Sequence, residues 1–142
     1  MRLALDEAED AGEAGEVPVG AVIVREGEVV ARAGNASVSS ADATAHAEFL
    51  AIQAASAVLG DQRLTDCTLY VTMEPCAMCA GAIVLSRVDR VVFGAWDEKA
   101  GMAGSVGDLL RNPKLNHSPE VQGGVSEAEC GKILSEFFRE KR

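Results

Sequence analysis

At 142 residues the chain has the length of one ordinary domain, since domains cluster near roughly 100 to 150 residues and bury about 70% of the unfolded surface without disulfide staples. With 48% hydrophobic and 25% charged residues, 14 Gly and 4 Pro, the composition excludes a disordered, collagen-like or coiled-coil chain. The formal charge of −9 argues against a polyanionic partner, but it is unevenly spread: residues 1–86 carry 13 acidic against 4 basic side chains, whereas residues 87–142 carry 9 of each.

Taken in order, residues 1–14 place Leu3, Ala4, Ala8 and Ala11 on one face and acids elsewhere, the pattern of an amphipathic helix. Their acidity is unlike a targeting peptide, and no apolar run reaches the roughly 18 to 20 residues of a membrane span, so a cytoplasmic, membrane-free protein is expected. Residues 17–24 (VPVGAVIV) read as a buried strand, Glu26-Gly27 as a hairpin turn and residues 28–33 as the returning strand. A turn-rich loop, residues 34–42, precedes an alanine-rich helix over residues 45–59 that stops at Gly60. Residues 68–72 form a third strand, and Pro75 opens a helix over residues 76–86. A short apolar strand follows at residues 90–93, then a glycine-rich loop over residues 94–107 and an irregular stretch over residues 112–122. Residues 126–139 close the chain as a helix, with Glu129 placed for a capping box. Strands alternating with helices predict a single α/β domain over residues 1–142, layered α/β/α.

The strongest chemical signal is His46-Ala47-Glu48 followed by Pro75-Cys76-Ala77-Met78-Cys79, each at the start of a predicted helix. Residues two apart on a helix diverge by roughly 200°, so His46 and Glu48 address one metal only if it sits over the first turn. Cys76 and Cys79 grip it from a second helix start, where unpaired N–H groups and the dipole favour thiolates. A histidine and two thiolates suit zinc and leave a fourth position for water. Two alternatives remain at this point: a structural zinc site in an interaction module, which has no need of Glu48, and a thioredoxin-like C-x-x-C oxidoreductase, which has no need of His46. Cys67 is a poor fourth ligand, since the strand carries it about 20 Å from the Pro75 segment. Cys130 reads as a small core residue and His117 as a surface histidine.

The joint pattern is the signature of zinc-dependent nucleobase deaminases. Nearly the whole chain resembles the bacterial tRNA-specific adenosine deaminases, a resemblance carried by VPVGAVIV, TAHAE (residues 44–48), TLYVTMEPCAMCAGAI (68–83), SRVDRVVFGAWDEKAGMAGS (86–105), LNH (115–117) and FFR (137–139). It implies a cytidine deaminase-like fold with a five-stranded mixed sheet, one zinc ion per chain and a homodimer that converts the wobble adenosine of a tRNA anticodon stem-loop to inosine. It further implies that His46, Cys76 and Cys79 are the zinc ligands and Glu48 the proton shuttle. Asn35 and the backbone of Ala47 match positions beside the target base. Asp97, Lys99 and Ser105 match the loop along the flanking nucleotides, and Phe138 and Arg139 match the helix that touches the anticodon loop. Arg142 joins Arg139 as an expected phosphate contact. Ala43 stands where the family commonly has proline, and Trp96 where relatives often have arginine. The nearest alternative uses the same zinc chemistry on a free base or nucleoside such as guanine or cytidine; the stretches after Arg90 favour the RNA-acting family.

Overall fold

A computed structural model describes residues 1–141, so Arg142 and its expected phosphate contact lie outside the described residues. Helix α1 (Arg2–Glu13) buries Ala4, Leu5, Ala8 and Ala11. Leu3, expected on that face, is 39% exposed. At about 100° per residue the two leucines flank the alanine stripe on opposite edges, and only the Leu5 edge meets the closing helix. Strands β1 (Gly20–Arg25) and β2 (Glu28–Gly34) form the expected hairpin. Glu26 and Gly27 both take positive φ, 52° and 79°, which is the turn whose twist matches the paired strands. Residues 17–19 precede β1 instead of joining it: Pro18 has no N–H for a ladder, and the Val19 N–H folds back to the Val17 carbonyl at 2.8 Å.

Helix α2 (Ala47–Leu59) begins two residues later than its alanine content suggests, because His46 is extended (φ −79°, ψ 148°) and serves as N-cap. It ends as expected at Gly60 in the left-handed region, φ 65°. Strand β3 (Cys67–Met73), helix α3 (Ala77–Ser86) and strand β4 (Arg90–Ala95) make a parallel β-α-β unit. Strand β5 (Glu120–Gln122) is a three-residue edge strand parallel to β4. It is too short and polar for alternation to reveal, and only the family resemblance implied it. Helix α4 (Glu127–Glu140) lacks the expected capping box: Ser126 sits at φ 55°, its hydroxyl caps nothing, and Glu129 lies 3.6 Å from Arg2 in an exposed ion pair.

The sheet order is β2-β1-β3-β4-β5, antiparallel across the first two pairings and parallel across the last two. This is a five-stranded mixed sheet, as the family resemblance implied. Helices α2 and α3 pack against each other, as do α1 and α4. Alternate strand residues Ala21, Ile23, Leu69, Val71, Val91 and Phe93 form one buried cluster with Ala51, Ala55, Ala80 and Ile83 of the first helix pair. Against β1, helix α1 comes so close that a Cβ on Gly20 would stand 2.0 Å from the Ala4 carbonyl oxygen. Among the described residues no helix is long and apolar enough to cross a membrane.

Strand direction determines where the chemistry gathers. Strands β2, β3 and β4 run the same way and β1 runs opposite, so the chain after β2, after β3 and after β4 emerges at the edge where residues 17–19 enter β1. Open α/β sheets bind ligands at that carboxyl edge.

Candidate active site

At this edge a cavity of about 260 Å3 is lined by Val17 and Val19 before β1, Asn35 and Ser37 after β2, Met73, Glu74 and Cys76 after β3, and Asp97 and Ala100 after β4. His46 and Glu48 complete it from the start of α2. His46 and Cys76 are the N-caps of α2 and α3, and Cys79 lies in the first turn of α3, so two helix N-termini converge as the spacing anticipated. Asp42 shapes the approach to His46 by accepting the backbone N–H of Thr44 at 2.8 Å and its hydroxyl at 2.6 Å.

The Nδ1 atom of His46 lies 3.5 Å from Cys76 Sγ and 3.6 Å from Cys79 Sγ, and all three atoms fall within 4.8 Å of one another. Zinc–sulfur and zinc–nitrogen bonds of about 2.3 and about 2.1 Å at a tetrahedral angle separate sulfur from nitrogen by about 3.6 Å. The triad therefore has the donor set and spacing for one zinc ion. Among the described residues no fourth side chain joins it, which is the open coordination of a catalytic site and not the closed one of a structural site.

The electrostatics around the triad are strongly polarised. The neighbouring Cys79 thiol lowers Cys76 to about 5, and Cys76 in turn raises Cys79, so one thiolate is favoured over the other. Glu48 is 4% exposed, and burial pushes its carboxyl up to about 7, against the pull of its own backbone N–H. A carboxyl with that affinity for a proton is suited to receive one and return it near neutral pH. Glu74 is buried as well; burial raises its carboxyl, but hydrogen bonds from Ser105, Asp97 and Ala103 prevail and hold it below the ordinary range.

The remaining predicted residues divide between the cavity and a neighbouring groove. Asn35 Oδ1 accepts the Ala47 N–H at 2.8 Å, so this loop residue caps α2, and its amide N–H2 has no partner among the described residues at the cavity wall. Asp97 lines the cavity while one carboxylate oxygen accepts the N–H groups of Lys99 and Ala100 at 3.0 and 3.2 Å. Lys99, Phe138 and Arg139 meet in a groove of about 660 Å3 shared with Ser135 and Lys141. Three cations and an exposed aromatic ring in one groove suit a nucleic-acid strand, despite the chain's acidity. Ser105 is turned toward Glu74, to which it donates through both backbone and hydroxyl.

Cys67 and Cys130 stand apart from the triad, fully buried, with thiols that burial raises (Cys130 to about 11). His117 Nε2 bonds the Val88 carbonyl at 2.6 Å. Sequence reasoning missed two buried carboxylates. Glu16 is 2% exposed and accepts the N–H groups of Val38 and Ser39 at 3.0 and 2.7 Å, tying down the loop that follows Asn35. Glu74 does the same for the loop after β4. An isolated glutamate carries no periodic signal, and only its position before Pro75 sets Glu74 apart.

The sequence pattern described as the cytidine and deoxycytidylate deaminase zinc-binding region matches residues 1–95. The tRNA-specific adenosine deaminase of Bacillus subtilis (strain 168) is 54% identical over 142 residues, covering 100% of this chain and 88% of that relative. A solved structure concerned with A-to-I editing by tRNA deaminases at the wobble position of transfer RNA superposes with a TM-score of 0.88 at 46% identity, covering 94% of this chain and 97% of the other. The guanine deaminase of Bacillus subtilis superposes with a TM-score of 0.66 at 36% identity, covering 99% and 90%.

Proposed function

The chain belongs to the cytidine and deoxycytidylate deaminase family and to its tRNA-specific adenosine deaminases, and we propose that it hydrolyses the wobble adenosine of tRNA anticodons to inosine. It is a hydrolase of a cyclic amidine C–N bond with zinc as cofactor. The observation that carries this reading is the His46-Cys76-Cys79 triad beside a buried Glu48 in a cavity that opens next to a basic, aromatic groove.

In this reading His46, Cys76 and Cys79 hold the metal. Zinc bound there would supply Lewis acidity, lowering the pKa of water to about 7. Glu48 takes the proton of the attacking water and delivers it to the adenine ring nitrogen next to C6, so that C6 accepts the water oxygen. Glu48 then carries the second water proton to the exocyclic amine. The C–N bond breaks, ammonia leaves, and hypoxanthine, the base of inosine, remains. The Asn35 amide and the Ala47 backbone contact the base, and Asp97, Lys99, Ser105, Phe138 and Arg139 contact the flanking nucleotides. An anticodon loop presents its target at low cost because its bases are unpaired and easily splayed.

Residues 1–142 act as one domain, located in the cytoplasm with the tRNA. The protein works as a homodimer through the outer faces of α2 and α3. In support, both helices are apolar nearly all round, Leu85 is 82% exposed, and a shallow depression lined by Phe49, Ile52, Ala82 and Leu85 together with Gln53, Ser56, Gln62 and Ser86 runs between them.

Ammonia release from an adenosine-containing anticodon stem-loop, compared with free adenosine, cytidine and guanine, tests the assignment. Turnover of the stem-loop alone is expected. Turnover of guanine with none of the stem-loop would move the chain to the free-base deaminases, the reading favoured by its likeness to the guanine deaminase.

A further inference from the structure

The carboxylate of Glu74 is 3% exposed and accepts four hydrogen bonds: the N–H groups of Asp97 at 2.9 Å, Ala103 at 3.0 Å and Ser105 at 3.0 Å, and the Ser105 hydroxyl. All four donors come from the loop that follows β4, and none from the strand or helix on either side of Glu74. Next to it the Pro75 carbonyl accepts the Met102 N–H at 2.8 Å. The backbone N–H of Glu74 itself bonds the Ala95 carbonyl at 2.8 Å, closing the β3–β4 ladder. On the loop side Gly101 presses so closely that an added Cβ would lie 2.3 Å from the carboxylate carbon of Glu74.

From this arrangement we propose that Glu74 is a positioning residue for substrate: one buried carboxylate latches residues 97–105 and thereby aligns the base cavity with the RNA groove. The proposal rests on the tRNA reading above and goes beyond it in assigning a cavity residue whose carboxylate oxygens are taken by the loop. Asp97 lines the cavity and Lys99 the groove, two residues apart on the latched loop, so the latch sets the spacing between the two contact regions. An ionised carboxylate is acceptor-only, with about four lone-pair sites, and here four donors meet it. Glutamine cannot replace it, because its N–H2 would face N–H donors whichever way the amide is turned.

The sole tryptophan, Trp96, is a built-in reporter, since it precedes Asp97 and packs edge-on against Phe93 with ring centroids 4.8 Å apart. The test compares zinc-loaded wild type with Glu74→Gln. The variant is expected to keep one zinc per chain, to shift the Trp96 emission and to exchange the Ala103 and Ser105 amides at least about tenfold faster. The KM for the anticodon stem-loop should rise about tenfold, as for lost positioning hydrogen bonds, while kcat changes less than about threefold. Unchanged exchange with unchanged KM would overturn the proposal. So would loss of zinc or a fall in kcat at constant KM, since Glu74 would then serve the Cys76 segment and not the loop. If Glu74→Gln fails to fold, Gly101→Ala decides. It strikes the same latch from the loop side at a position without positive φ and should raise KM and amide exchange in the same way; no change in either would refute the latch. Exchange and emission are read on the free protein. A wild type inactive on the stem-loop would therefore sink the tRNA reading and still leave the latch to be judged by those two measurements.

Discussion

Replacing Glu48 by glutamine separates a catalytic zinc site from every structural use of the same motif. The amide fills the same buried space and leaves His46, Cys76 and Cys79 untouched, so fold and zinc content should be preserved. What the amide cannot do is accept and return a proton. General acid/base catalysis is worth about 10² to 10⁴ in rate, and the cavity places the loss near the upper end of that range. Its other carboxylates are Glu74, whose oxygens are occupied by four donors, and Asp97, which is tied to the N–H groups of Lys99 and Ala100. Glu74 is therefore not free to take over, and Asp97 has one of its two oxygens engaged. We expect single-turnover deamination of an anticodon stem-loop to slow by about 10³ to 10⁴, or about 4 to 5.5 kcal/mol of transition-state stabilisation at about 1.36 kcal/mol per tenfold. RNA affinity should change little, because the groove and Asn35 are intact. A variant that retained more than about a tenth of the wild-type rate would show that another group carries the proton. One that lost zinc would make Glu48 part of the metal site's scaffold.

Cys67→Ser and Cys130→Ser should retain stoichiometric zinc while losing about 1 to 3 kcal/mol of stability, since each buries a hydroxyl in a fully enclosed site; Cys76→Ser should lose the metal. Elemental analysis and urea unfolding check both, and loss of zinc from either bystander variant would mean that the site is closed by a fourth protein ligand. Replacing Lys99 and Arg139 together by alanine should weaken stem-loop binding at every salt concentration and flatten the slope of log K against log[salt] by about 1.4, at about 0.7 per single-strand phosphate contact. An unchanged slope would move the RNA surface elsewhere. Leu85→Asp should halve the mass seen by sedimentation without unfolding the chain, because the residue is 82% exposed; an unaltered dimer would exclude this helix face as the interface.

The order of the first four strands and the four helices, the hairpin at Glu26-Gly27 and the pairing of His46-Ala47-Glu48 with Pro75-Cys76-Ala77-Met78-Cys79 were legible in the sequence, because each is written in local periodicity, turn chemistry or ligand spacing. That both ligand pairs stand near a helix start was legible for the same reason, but that His46 is itself the N-cap, with Asn35 twelve residues away accepting the Ala47 N–H, was not. Other features depended on which surfaces meet. Leu3 and Leu5 are equivalent by helical phase, and only the docking of α4 decides which is buried. Strand β5 exists because β4 offers an open edge to three residues that have little preference of their own. The capping box at Ser126 fails because the chain arrives there in a left-handed turn. Glu74 and Glu16 acquire their partners from residues more than twenty positions away, through loops that meet them only after the sheet has formed. A buried carboxylate needs donors brought to it in three dimensions, and sheet direction, by delivering four segments to one edge, is what brings them.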